Sequence, residues 1–155
     1  MLSTWTVVAC SPAPSAILAV ERTDPGKARV LIAPCADYAA LQFDVFSSGG
    51  TVGYKIWAID SDAMGGPLSS VDLFTAPPGW SVAESSLTDL KGAHEYTVVL
   101  EGAVGSRGLD GEISFTPAQF EGLKDGEVLV RDDGETKKIK SSEFMKKDSG
   151  RCAAG

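Results

Sequence analysis

Leu90-Lys-Gly-Ala-His-Glu-Tyr96-Thr-Val-Val-Leu100 is the stretch on which the reading of this 155-residue chain turns. Tyr96, Val98 and Leu100 alternate with Thr97 and Val99, and a period of two marks a strand with one buried face. The residues before Tyr96 are polar or small and read as the turn that delivers the chain into that strand. A tyrosine at such a place gains from burying its ring only if its polar tip finds a partner. Its hydroxyl is therefore expected to bond backbone within the turn.

Upstream, short apolar runs are separated by turn residues. Ala16-Ile-Leu-Ala-Val-Glu21 and Ala28-Arg-Val-Leu-Ile-Ala33 read as paired strands around Asp24-Pro-Gly26, and Pro34-Cys35 ends the second because proline cannot donate to a ladder. In Leu41–Phe46 the alternation places Leu41, Phe43 and Val45 on one face and Gln42, Asp44 and Phe46 on the other. Val52–Ile59 carries bulk on both faces, with Tyr54, Ile56 and Ala58 opposing Lys55, Trp57 and Ile59, so one face is expected to meet a covering segment. Ser61–Ser70 reads as a surface loop, Val71–Phe74 and Ser81–Leu87 as strands, and glycine-rich Gly102–Gly111 as a mobile connection to the strand Glu112–Phe115.

Downstream the grammar changes. Thr116-Pro-Ala-Gln119 has a capping-box residue set and predicts a short helix. Glu127–Arg131 and Thr136–Lys140 flank Asp132-Asp-Gly-Glu135 as a hairpin, and Ser141–Lys147 reads as a final helix. Three parts follow: residues 1–15 as a Pro/Ser tether, 16–115 as a β-sandwich, and 116–155 as a helix–hairpin–helix appendage packed on it.

A leucine six residues before a tyrosine that opens a strand, as Leu90 and Tyr96 stand here, resembles the tyrosine corner of fibronectin type III and immunoglobulin-like domains. The resemblance covers about a dozen residues and implies a mainly β, antiparallel sandwich. Gly92 departs from the pattern, which usually carries proline there. Val7-Val8-Ala9-Cys10 followed by Ser-Pro-Ala-Pro-Ser resembles a bacterial lipobox, which would make Cys10 an acylation site and anchor the chain to a membrane through that residue. Met1–Ala9 lacks the Lys or Arg and the length of a signal peptide. Two readings of Cys10 therefore stand, a lipidated cysteine and an ordinary buried thiol. The overall layout resembles small lipoproteins of actinobacteria of unassigned function.

Composition narrows the function classes. The formal charge is −7, concentrated in residues 1–131, which carry 8 basic and 16 acidic side chains. An acidic body repels phosphate backbones, which argues against nucleic-acid binding. With three cysteines, setting Cys10 aside leaves Cys35 and Cys152 as a candidate disulfide in an extracytoplasmic compartment; three reduced thiols in the cytoplasm is the alternative. His94 is the only histidine and reads as a solvated turn residue, so no catalytic residue is assigned. Asp60 and Asp62 are too few carboxylates for a calcium site, and no metal or cofactor is expected. Trp57, Phe74 and Trp80 read as core rather than a ligand platform. Lys137, Lys138, Lys140, Lys146, Lys147 and Arg151 read as guards of an edge strand. The leading expectation is a non-enzymatic envelope module that binds a protein or cell-wall polymer. A structural or assembly protein, phage-encoded and multimeric, is the second, and a hydrolase the third.

Overall fold

The computed structural model describes residues 17–146 and Cys152. Eleven strands and two short helices follow one another: β1 (Leu18–Asp24), β2 (Lys27–Ile32), β3 (Tyr38–Ser48), β4 (Lys55–Ser61), β5 (Ser70–Asp72), β6 (Trp80–Ser85), β7 (Glu95–Val104), β8 (Arg107–Gly108), β9 (Gly111–Phe115), α1 (Pro117–Glu121), β10 (Glu127–Asp132), β11 (Glu135–Lys140) and α2 (Ser141–Phe144). They form an antiparallel β-sandwich. One sheet runs β11-β10-β1-β2-β5. The other runs β6-β4-β3-β7, with β9 and β8 pairing successive parts of the far side of β7.

Period-two alternation explains which side chains lie between the sheets. Phe43 and Val45 of β3, Trp57 and Ile59 of β4, and Val98 and Leu100 of β7 are all buried, and they meet Val20, Val30 and Val71 of the other sheet in one core. Leu41 is the exception to the expected alternation. A register shift between Ala40 and Gln42 inserts an extra residue and turns Leu41 outward, 43% exposed.

The order helix, hairpin, helix after Thr116 is as read, and Thr116 and Gln119 form the reciprocal capping box. The hairpin turns on Asp133 and Gly134, both at positive φ, as a two-residue type I′ turn requires. It is not an appendage, however. Ala19 and Val20 of β1 pair with Val130 and Leu129 of β10, so the hairpin extends the first sheet by two strands. The physical reason is the outer edge of β1, which would otherwise leave its ladder groups unpaired beside fully buried Ala19 and Val20. Gly102–Gly111 is likewise corrected: β7 runs on to Val104, turns at Gly105 and pairs back through β8. Glycine at 102 is required by a close approach, because a Cβ there would lie 2.3 Å from the Tyr38 hydroxyl, which donates instead to the Leu109 carbonyl at 2.9 Å.

Candidate functional site

The corner is built by two turns clasping each other. The Thr51 N–H donates to the Gly92 carbonyl at 2.8 Å, and the His94 N–H to the Ser48 carbonyl at 2.9 Å. Gly92 sits at φ +84, which proline's ring cannot reach. Opposite it, Gly50 at φ +65 has no room for a side chain, since a Cβ would stand 2.0 Å from the Gly92 oxygen. Leu90 is half-buried against the core. Tyr96 is buried as expected, 1% exposed, with its ring 5.8 Å from that of Phe115. Its hydroxyl does not make the expected bond. Burial raises the phenol pKa; the Ala93 backbone opposes that rise and Asp89 adds to it. No bond to Ala93 meets hydrogen-bond geometry, and among the described residues the hydroxyl is buried without a partner.

Cys10 lies outside the described residues. Cys35, just after β2, and Cys152, beyond α2, stand at disulfide distance, with sulfurs 2.06 Å and Cα atoms 5.4 Å apart across 117 residues of sequence. The Cα separation lies within the range a bridge spans without moving backbone. His94 is exposed at the head of β7. Trp57 and Trp80 are buried in the core, and Phe74, partly buried, packs edge-on against Trp57 at 5.7 Å. Among the described residues, no group of three His, Cys, Asp or Glu is placed to hold a metal, and no helix is long and apolar enough to cross a membrane. β11 is the edge of its sheet; its Lys137 pairs with Asp132, and its Lys138 with Glu127 at 3.1 Å.

Two surface features remain. A cleft of about 620 Å³ opens between the β1–β2 turn, the end of β5 and the corner. Its charges are mixed: Lys27, Arg29 and Lys91 against Asp24, Asp72 and Asp89, with Arg29 held by Asp72 at 2.7 Å and Glu21 at 3.5 Å. The guanidinium pKa is raised chiefly by the Asp72 hydrogen bond. Such a cleft selects no sign of ligand charge.

The second feature is the outer face of the sheet β6-β4-β3-β7. Register puts Gln42, Asp44 and Phe46 of β3 beside Asp60, Ala58 and Ile56 of β4 and beside Glu101, Val99 and Thr97 of β7, with Glu84 of β6 next to Ala58. Asp44 is only 7% exposed, and both its carboxylate oxygens accept from the Gln42 amide, at 3.1 and 2.9 Å. Burial raises its pKa, the Gln42 hydrogen bond opposes this, and the charges of Asp60 and Glu84 push it further up. Beside it the Phe46 and Tyr54 rings stack at 6.0 Å, and a notch of about 340 Å³ opens among Phe46, Ser48, Tyr54 and Thr97. Tyr54 is 72% exposed. Sequence alone marked Asp60 only as half of a weak calcium pair. Its acidic neighbours come from two other strands, and the signal that could have found them is the outward position of Asp44 in an alternating strand. Compared with protein-family models, curated proteins and solved structures, the chain matches none of them.

Proposed function

We propose that this protein is a non-enzymatic binding module of the cell envelope, built on an immunoglobulin-like scaffold. The observation that carries the compartment is the Cys35–Cys152 pair, since cysteines brought to bridging distance from 117 residues apart are characteristic of chains that mature under oxidising conditions. Strand order supports the scaffold. With β1, β2 and β5 taken as strands A, B and E, and β3, β7 and β9 as C, F and G, Tyr96 falls at the start of F, after an E-to-F connection that here also carries β6. β4 then extends the C–F–G sheet, and β6 and the β10–β11 hairpin are additions to the pattern. The bridge ties the segment after the added hairpin to the end of strand B. A sandwich fastened in this way is suited to presenting a surface to a partner outside the cytoplasm.

The test is a non-reducing peptide map of protein recovered from its native host, paired with unfolding in the presence and absence of reductant. A Cys35–Cys152 peptide should be found, and reduction should cost several kcal/mol, because closing a loop of this length removes roughly 4–5 kcal/mol of unfolded-state entropy. Recovery of both cysteines as thiols from native material would overturn the assignment to the envelope.

A further inference from the structure

We infer that the outer face of the β6-β4-β3-β7 sheet docks a short basic segment of a partner protein, in extended conformation, with a cationic side chain on the Asp44–Asp60–Glu84 cluster and an apolar one in the Phe46–Tyr54 notch. It rests on the reading of the protein as a binding module but not on its compartment.

Three observations lead there. First, the charge on this face is uncompensated. Among the described residues no ion pair joins Asp44, Asp60, Glu84 or Glu101 to a cation, whereas Glu112, toward the hairpin side, is met by Arg131 at 3.4 Å. Asp44 is the least exposed of these carboxylates, and its side chain accepts hydrogen bonds from a neutral amide. A cation arriving there meets a carboxylate already stripped of most of its water, where charge-assisted hydrogen bonds are strong. Second, apolar surface lies directly alongside. Phe46 is two residues from Asp44 on the same face, about 7 Å away along the strand. Tyr54, largely exposed, offers its ring to an aliphatic or cationic side chain.

Third, size and sign select the occupant. Four strands about 4.8 Å apart, read from Gln42 to Phe46, span a patch of roughly 14 by 13 Å. The acidic and aromatic side chains of this patch fill no more than that, well below the roughly 800 Å² per partner that a stable protein pair buries. A second copy of this chain would also bring the same carboxylates against one another. A single extended segment fits both limits. The spacing specifies its pattern: a Lys or Arg and an apolar residue two positions apart project from the same side of a strand and reach Asp44 and Phe46 together.

The test uses the intact protein and two fluorescently labelled peptides of equal composition, read by anisotropy near physiological salt. One repeats Lys-Ser-Ile-Ser, which puts lysine and isoleucine on one face of a strand; the other repeats Lys-Ile-Ser-Ser, which puts neighbouring lysine and isoleucine on opposite faces. The first should bind about tenfold more tightly, and D60K combined with E84K, or F46A alone, should each remove about that factor. Amide shifts on adding the first peptide should map to the outer positions of β3, β4 and β7, a readout that needs no variant. Equal binding of the two peptides, shifts that map elsewhere, or variants that bind like the parent would overturn the inference. A dimer formed through this face would do the same. None of these results depends on Cys35 or Cys152, so failure here with the bridge present defeats this inference and leaves the envelope reading standing.

Discussion

The two faces of the β4-β3-β7 sheet are made of alternate residues of the same three strands, and they treat charge and water in opposite ways. On the inner face Phe43, Val45, Ile59, Val98 and Leu100 are fully excluded from solvent and Trp57 nearly so. On the outer face a carboxylate is held almost as deeply, beside two more of its own sign, with the half-buried Phe46 ring and the exposed Tyr54 ring next to it. Apolar burial accounts for the first arrangement. Nothing in folding favours the second, since like charges near one another on a sheet destabilise it. The comparison separates a face whose packing accounts for the sandwich from one whose charge that packing does not explain, and it is the second for which docking is proposed.

The largest test of that difference is a matched pair of truncations three residues apart. Phe43→Ala should cost about 3–5 kcal/mol, as large-to-small changes in a packed core do. Phe46→Ala should cost under about 1 kcal/mol, because its ring stacks on an exposed neighbour at the surface. Similar costs by urea unfolding would erase the distinction. Next in size, Gly50→Ala asks whether the clasped corner behaves as part of the inner side. A Cβ 2.0 Å from the Gly92 oxygen, at φ +65, should cost on the order of 2 kcal/mol or more. A midpoint unchanged in that variant would show the two turns are not locked together. Smaller still is Tyr96→Phe. The ring is core, but the hydroxyl is buried without a hydrogen bond, so its removal should leave stability within about 0.5 kcal/mol or raise it. A loss above about 1 kcal/mol would show that the hydroxyl has a partner after all.

Much of the inner face was legible in the sequence. The alternation at Phe43–Val45 and Tyr96–Leu100, the capping box at Thr116 and the Asp133-Gly134 turn each carry their structural cause within a few residues. Pairings between distant segments do not. Period two says which side a residue faces but not which strand lies beside it. The sequence therefore marks β10–β11 as a hairpin but not as part of the first sheet, its partnership with β1 being set by edge satisfaction more than 100 residues away in sequence. Leu41 was misplaced because a one-residue bulge has no mark in the alternation. The acidic face was hidden for a similar reason. Asp44, Asp60 and Glu84 lie on three strands and meet only through register. The pairing of Cys35 with Cys152, by contrast, followed from counting cysteines once Cys10 was set aside.

The claim that the outer face serves contact rather than folding is tested most directly by the stability of Asp44→Asn against the parent in urea at pH 7. The amide keeps an acceptor for Gln42 and removes the charge that burial, Asp60 and Glu84 all oppose. Stability should rise, by about 0.2–1 kcal/mol as for relief of like charges across strands. Because the folded pKa of Asp44 lies above its unfolded value, the folded state takes up this proton more readily, and acidification favours folding at this site. The advantage of asparagine should therefore be greatest near neutrality and shrink as the pH falls through the raised folded value toward the ordinary carboxylate range. A loss of 1 kcal/mol or more at pH 7 would mean that Asp44 holds the sheet together, and the distinction between the two faces would fail.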